Sequence, residues 1–405
     1  MRRHALPAVL LAVLCACESN PPSGRIGDLL PDPGGLPDAQ DQEETVADDA
    51  DRDGTEEAAA DGEEAGDPAG DPAGDEATGE DPFPDPAGDA PTSEGTGDAS
   101  EDALDDAEAD AGTPATIDPS ARGRFQTQLT PGNVARGDRT IPVVAHGPRR
   151  IDGLTSPLVV FLPGFQAPSD LYQQSVDYLA SHGFVVVRAE PPGGLLSISH
   201  VEMAKDVIAV IDWAVDPLGP LTGRVDETWI GVAGHSLGGK LATMAAYADP
   251  RVKALFAIDP VNGGAPILGY TGALPDIVPD QVAPLAIPMG FPGETWSADH
   301  VALGQSCAPA DQNYTTFYDA ATSAPWKAKW EFPGADHMDF VDDLTACGSL
   351  CDVCPDGTGR PMDQVTAMRT LMAAFFLRHH DGLAGMEDWL FGAKTPDEAI
   401  PTHAP

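Results

Sequence analysis

The chain has 405 residues, of which 65 are acidic and only 22 are basic, so its formal net charge at pH 7 is −43. This balance excludes nucleic-acid binding as the main function, because a phosphate backbone is bound by Lys and Arg. Most of the negative charge belongs to residues 17–119, which are rich in Asp, Glu, Gly, Ala and Pro, and so it does not describe a site.

The N-terminus has the pattern of an export signal. A basic start precedes a short apolar run that ends at residue 16 and is too short to span a membrane as a permanent helix. The Leu-Cys-Ala-Cys sequence at residues 14–17 resembles a bacterial lipoprotein processing box, which implies lipid attachment at Cys17 and anchoring in the cell envelope. The alternative is an ordinary cleaved signal and a secreted protein. In both cases the mature chain functions outside the cytoplasm.

Residues 17–119 contain near-repeats of Gly-Asp-Pro-Ala and a single aromatic residue, Phe83. A segment with so few large apolar side chains cannot bury enough surface to offset the entropy of ordering, so we predict a disordered acidic linker. The catalytic domain is then expected over residues 120–405, a length that suits one α/β domain.

Within this domain strand and helix patterns alternate, which predicts an α/β fold with a mostly parallel, doubly wound sheet. The first predicted strand lies at an edge of the sheet, and the seventh is expected to be the last. The predicted strands are residues 139–145, 157–162, 184–187, 229–234, 252–258, 284–290 and 326–332. The predicted helices are residues 169–183, 201–215, 241–248 and 364–380.

The central motif is Gly-His-Ser-Leu-Gly at residues 234–238, between an apolar strand and a helix. Such an elbow holds its serine, here Ser236, in a strained turn at the carboxyl edge of the sheet. Gly234 and Gly238 are required because strand and helix approach too closely there for a Cβ. We interpret Ser236 as a nucleophile rather than a structural turn residue, and the order of elements matches the α/β-hydrolase fold.

A serine nucleophile needs a histidine base that is oriented by a carboxylate. His337 follows the strand predicted at 326–332 and precedes the closing helix, which is where this fold places its base. Two carboxylates compete as the acid: Asp259 directly follows one predicted strand, and Glu294 lies just beyond the next. The layout alone leaves both open.

The oxyanion hole of this fold uses two backbone amides. The first belongs to the residue after the nucleophile, here Leu237. The second is expected from Phe165, in the turn after the strand at 157–162.

The domain contains four cysteines, at positions 307, 347, 351 and 354. In an exported protein an even number favours disulfides, so Cys307, Cys347, Cys351 and Cys354 are disulfide candidates with three possible connectivities. A metal site is the weaker interpretation, because no histidine stands at ligand spacing. We predict no metal ion and no organic cofactor.

From about residue 157 to residue 382 the sequence resembles the chlorophyllases and the chlorophyllase-like bacterial esterases. The motifs that carry this likeness are residues 161–165, 181–186, 234–240, 258–261, 307–309, 313, 317–318, 336–339 and 347–354. The resemblance implies a triad of Ser236, Asp259 and His337, and hydrolysis of a carboxylic ester through an acyl-enzyme. Plant members act on the phytyl ester of chlorophyll and usually have Arg where this chain has Leu237.

The predicted partners are a small-molecule or lipid-like ester and, through the N-terminal anchor, a membrane. The loops at residues 190–199, 262–281 and 294–313 are largely apolar, which favours a substrate with an acyl or alkyl group of some size. The oligomeric state is left open, and a monomer is compatible with the sequence. The alternatives are a non-catalytic surface-binding lipoprotein on the same scaffold, or an acyltransferase.

Overall fold

The computed structural model of the chain describes residues 117–149, 153–194, 198–263, 273–300 and 306–404. The predicted signal peptide, Cys17 and nearly all of the predicted acidic linker lie outside the described residues. Within the described ranges, no helix combines the length and the apolar character that crossing a membrane would require.

The described residues form a nine-stranded sheet with the spatial order β1-β2-β4-β3-β5-β6-β7-β8-β9. The strands are β1 (Thr127–Arg136), β2 (Arg139–Pro148), β3 (Ser156–Leu162), β4 (Val185–Ala189), β5 (Val225–His235), β6 (Val252–Ile258), β7 (Met289–Glu294), β8 (Lys327–Phe332) and β9 (Ile400–Ala404). Pairing is parallel from β4 through β3 to β8, and antiparallel where β1, β2 and β9 join. The predicted mostly parallel α/β sheet is therefore confirmed.

The described helices are α1 (Gln173–Ser181), α2 (His200–Val215), α3 (Leu237–Ala248), α4 (Trp296–Asp299), α5 (Tyr314–Ala320), α6 (Leu344–Cys347), α7 (Pro361–His380) and α8 (Glu387–Leu390). Local sequence explains their ends. Ser199 caps α2 by accepting a hydrogen bond from the Glu202 amide, and Pro217 stands just after its end. α7 begins with Pro361, whose missing N–H costs nothing in the first turn.

Two hydrophobic clusters cover the two faces of the sheet. α2, α3 and α5 supply one cluster, and α1 and α7 supply the other. In β3, every residue after Ser156 is buried, as expected for a parallel strand that is covered on both faces. The core thus fixes the carboxyl edge of the central strands, where the site lies.

The strand at residues 139–145 was predicted as an edge strand, and this is wrong. β1 lies outside it and joins it through a tight hairpin turn in which Gly137 has a φ of 61°. A glycine at the first position of a two-residue hairpin loop is typical of this turn. β1 was not predicted because Pro131 and Gly132 interrupt its alternation of apolar and polar residues. Proline and glycine are tolerated in an edge strand.

Two further strand predictions are wrong in position or order. The strand predicted at 284–290 begins only at Met289 and continues to Glu294, since the preceding segment forms hydrogen-bonded turns that bury Val282 and Leu285. β8 is not the last strand, because β9 pairs with it antiparallel. β9 contains Pro401, which is tolerated in an edge strand. The same proline argues against a strand when only the sequence is read, so β9 was not predicted.

Candidate active site

The predicted elbow is present between β5 and α3. Ser236 has a φ of 56° and a ψ of −123°, a backbone conformation that costs a non-glycine residue about 1–3 kcal/mol. The surrounding structure imposes it: the Ser236 amide donates a hydrogen bond of 2.9 Å to the carbonyl of Ile258. A Cβ on Gly238 would lie 2.2 Å from the Leu162 carbonyl oxygen, and one on Gly234 would lie 2.5 Å from the Gly238 backbone. Both glycines are therefore required.

Gly238→Ala is expected to destabilise the domain by about 3 kcal/mol or more, because the new methyl group would overlap backbone that cannot move freely. Gly385→Ala is the matched control, since a Cβ there would meet no atom within 4 Å. Urea denaturation of both variants checks this. Equal stability of the two variants would contradict the close approach at the elbow.

Asp259 and His337 form a direct buried pair. Asp259 follows β6 and has a φ of 41°, and its amide donates to the Pro292 carbonyl at 2.7 Å. His337 starts a short 3-10 turn that Asp336 caps. The Asp259 Oδ2 to His337 Nδ1 distance is 2.6 Å. Of the two candidate acids, the structure places Asp259 against the imidazole.

Burial dominates the electrostatics of this pair. Removal from water lowers the pKa of His337, and the carboxyls of Glu294 and Asp336 act in the opposite direction. The imidazole is therefore neutral at rest, as a base must be. Burial also raises the pKa of Asp259, whereas a hydrogen bond from the Glu294 amide opposes that rise. With Nδ1 bound to Asp259, the imidazole keeps Nε2 for a reacting group.

A second histidine, His235, belongs to the elbow itself and packs against the base. The ring centroid of His235 is 4.6 Å from that of His337, and its Nδ1 lies 2.8 Å from the Tyr172 hydroxyl. His235 is thus a packing residue that backs the His337 ring and lies directly before Ser236. In the part of the chain that the structure describes, the Ser236 hydroxyl has no hydrogen-bond partner; in ligand-free enzymes such contacts are often long and tighten with substrate.

The two predicted oxyanion amides belong to the elbow helix and to the turn that packs against the elbow. Leu237 is the first residue of α3, so its N–H has no partner inside the helix. Gly164 donates its N–H to the Tyr172 hydroxyl at 3.3 Å. The next amide, that of Phe165, has no hydrogen bond among the described residues. A Cβ on Gly164 would be 3.5 Å from the Ser236 Cβ. This turn therefore packs directly against the elbow.

A cleft of about 250 Å³ lies beside these two amides. Its wall is mostly apolar, with Gln166 and Glu190 as polar members. The apolar lining includes Phe165, Leu237, Ile198, Met203 and Leu241. Its volume is below the roughly 300–1,000 Å³ of pockets that enclose drug-sized ligands.

Glu294 is the third ionisable group of the site. It is the last residue of β7, and its Oε2 accepts a 2.6 Å hydrogen bond from the Ser297 amide. Burial, followed by the nearby charge of Asp259, raises the pKa of Glu294 to about 8. One carboxylate oxygen of Asp259, one of Glu294 and one ring nitrogen of His337 all lie within 4.8 Å of one another. A divalent cation could bridge such a spacing, but Asp259 and His337 are already bonded to each other.

No role was predicted for Lys240, although it lies in the motif at residues 234–240 that resembles the chlorophyllases. The side chain is fully buried, and its Nζ donates to the Asn262 carbonyl at 2.6 Å. Burial lowers the pKa of Lys240 to about 7, against the opposing effect of Asp276. A lysine within an apolar helix is the signal that could have indicated this role. Lys240 holds the segment that follows Asp259.

The four cysteines form two disulfides, Cys307–Cys354 and Cys347–Cys351. The pairing that the sequence left open is thereby fixed. The first bridge ties the segment before α5 to the segment after His337. Two disulfides are consistent with an exported protein, because thiols stay reduced in the cytoplasm.

The sheet order, the strained serine elbow and the histidine after β8 define an α/β-hydrolase. A family model described as chlorophyllase matches residues 122–384. This chain belongs to the chlorophyllase family, as the sequence motifs predicted.

Individual relatives agree with that assignment. The chain is 30% identical to Chlorophyllase-1 of Arabidopsis thaliana over 206 residues, which are 47% of this chain and 60% of that protein. It is 27% identical to Chlorophyllase-2 of the same plant over 227 residues, 50% of this chain and 67% of that protein. It is also 31% identical to the alpha/beta hydrolase ucsC of Acremonium sp over 121 residues, 28% of this chain and 24% of that protein.

Proposed function

We propose that this protein is a serine carboxylesterase in which Ser236, Asp259 and His337 form the catalytic triad. The observation that carries the proposal is the 2.6 Å contact between Asp259 and His337 at the sheet edge where the strained Ser236 also lies. Membership of the chlorophyllase family supports the same chemistry.

In the proposed reaction, His337 Nε2 takes the proton of the Ser236 hydroxyl as its oxygen attacks the ester carbonyl carbon. The negative charge that develops on the carbonyl oxygen is stabilised by the amides of Phe165 and Leu237, and each such donor typically contributes several kcal/mol. The imidazolium, held by Asp259, then protonates the leaving alcohol and an acyl-enzyme remains. A water molecule that is deprotonated by Nε2 releases the acid and restores Ser236.

The cleft beside the oxyanion amides supports a preference for esters with a short apolar acyl group. A chlorin macrocycle is far larger than its volume of about 250 Å³, and Leu237 provides a neutral apolar wall. We further propose that the enzyme is held at the cell envelope by lipid on Cys17 and acts on small or lipid-like esters there.

A panel of nitrophenyl esters of increasing acyl length, with chlorophyll included, tests this function. We expect the highest kcat/KM for short acyl chains and weak or no turnover of chlorophyll. A folded protein that hydrolyses no ester in the panel would contradict the proposal and favour a binding role.

Met203→Ala is expected to move the optimum of this panel towards longer acyl chains, because removal of the side chain enlarges the cleft that Met203 lines. Met244→Ala is the matched control: Met244 is buried on α3 but does not line the cleft. Both changes should cost about 2–5 kcal/mol of stability. The chain-length profile should change in Met203→Ala alone, and a parallel change in the control would refute the assignment of the cleft.

A further inference from the structure

Glu294 is a buried ionisable group of the site that has no part in the proposed reaction. Glu294 is 1% exposed and ends the strand next to the one that leads to Asp259. Its Oε1 is buried and has no hydrogen-bond partner among the described residues. A buried polar atom without a partner is costly, so a carboxyl in this place needs an explanation.

Ionisation of both Asp259 and Glu294 is unfavourable, because two negative charges within 4.8 Å of each other in a buried site repel strongly. Their hydrogen bonds decide which group holds the proton. Asp259 faces two donors, His337 Nδ1 at 2.6 Å and the Glu294 amide at 3.4 Å. The Glu294 carboxyl accepts one, from the Ser297 amide. Since hydrogen bonds to a carboxylate favour its ionised form, the negative charge belongs on Asp259 and the proton on Glu294.

Among the described residues, the groups that act on Glu294 include no permanently charged cation that would change this result. The groups that act on it are Asp259, His337 and Ser297, and the ring of Tyr314 packs against the adjoining Gly293. In the parts of the chain that the structure describes, none of the groups that shift the pKa of Glu294 is a Lys or Arg. Burial and the charge of Asp259 therefore outweigh the opposing contacts, and the pKa of the Glu294 carboxyl is raised to about 8.

We propose that Glu294 is a second carboxyl partner of His337, a positioning residue that is protonated at neutral pH and adds its charge to that of Asp259 when it ionises. This inference rests on the proposed function of the triad. While it is neutral, Glu294 leaves Asp259 as the charged group that contacts the base directly. When ionised, it places a second negative charge near the imidazolium and stabilises it.

The proposal determines the shape of the pH profile. In wild type, kcat/KM rises once as His337 loses its proton and again near pH 8 as Glu294 loses its own. The second rise follows because an added negative charge close to the imidazolium stabilises the transition state, and we expect it to be about tenfold. Glu294→Gln, which resembles the protonated carboxyl in shape, lacks this second rise.

The same carboxyl should also act when the charge on Asp259 is removed. In Asp259→Asn the repulsion from Asp259, which helps to raise the pKa of Glu294, is absent. Glu294 therefore ionises at lower pH and provides a carboxylate whose charge acts on His337. We therefore expect Asp259→Asn to keep about tenfold more activity than Asp259→Asn/Glu294→Gln.

The decisive experiment records kcat/KM from pH 5 to 10 for wild type, the two single variants and the double variant. Glu387→Gln is the control, since this carboxylate pairs with Arg378. It is not among the groups that shift the pKa of Asp259, Glu294 or His337, so its loss should not alter the profile. Loss of the alkaline rise in Glu294→Gln, together with the activity difference between Asp259→Asn and the double variant, supports the proposal. An alkaline rise retained in Glu294→Gln, or equal activity of Asp259→Asn and the double variant, overturns it.

An infrared titration of the wild-type full chain tests the proton without relying on activity or on a variant. Isotope-labelled glutamate carboxyls separate Glu294 from Asp339, whose pKa burial also raises, to about 7. We expect the band of a protonated glutamic acid to persist at pH 7 and to disappear near pH 8. Its absence at pH 7 would overturn the proposal even if Ser236 is the nucleophile, and its presence would support the protonated state even if the enzyme used another nucleophile.

Discussion

Ser236→Ala is expected to reduce kcat for a short-chain ester by at least about 10⁴-fold, because no acyl-enzyme can form without the hydroxyl. The fold should be unaffected: alanine tolerates the elbow about as well as serine does, and the amide that donates to the Ile258 carbonyl at 2.9 Å remains. Steady-state kinetics with a sensitive nitrophenyl ester, combined with a thermal melt, measures both quantities.

Ser120→Ala provides the control for this change, since Ser120 is an exposed serine that bonds only within its own turn. Its activity should match that of wild type. A Ser236→Ala protein that is folded and retains most of its turnover would contradict the central assignment.

Asp259→Asn is expected to lower kcat by about 10³-fold to 10⁴-fold. The amide cannot carry the charge that stabilises the imidazolium, and it offers His337 Nδ1 the wrong hydrogen-bonding group. Glu294→Gln should reduce kcat at pH 7 only a few-fold, because that carboxyl is already neutral there. Comparison of the two variants at pH 7 measures which carboxylate orients the base.

The reverse order of these losses would make Glu294 the triad acid. That outcome requires a rearrangement, since the Asp259 Oδ2 lies 2.6 Å from His337 Nδ1 while Glu294 Oε2 is bonded to the Ser297 amide. A thermal melt of both variants separates a loss of catalysis from a loss of folding.

The residues on either side of Ser236 were sufficient to predict the elbow. The strand before Ser236 is continuously apolar, the glycines stand where backbones must touch, and the helix begins at once. The same reasoning predicted β3, β6 and the second half of β5, where nearly all residues are buried. It failed for β1 and β9, since edge strands are held by partners distant in sequence and tolerate Pro131 and Pro401.

The choice of acid could not be predicted from the chain order. Asp259 and Glu294 both end strands at the same edge of the sheet, and only side-chain packing decides which of them reaches His337. The pairing of the cysteines is similar, because the bridge between Cys307 and Cys354 depends on the folded path of the intervening chain. The buried proton on Glu294 depends on contacts among three separate elements.

Covalent labelling tests the central claim most directly. Wild type and Ser236→Ala are treated with a fluorophosphonate probe, digested and mapped by mass spectrometry. The proposed mechanism predicts a single adduct, on the peptide that contains Ser236, and none in the variant. An adduct on another residue, or equal labelling of both proteins, would show that Ser236 is not the nucleophile.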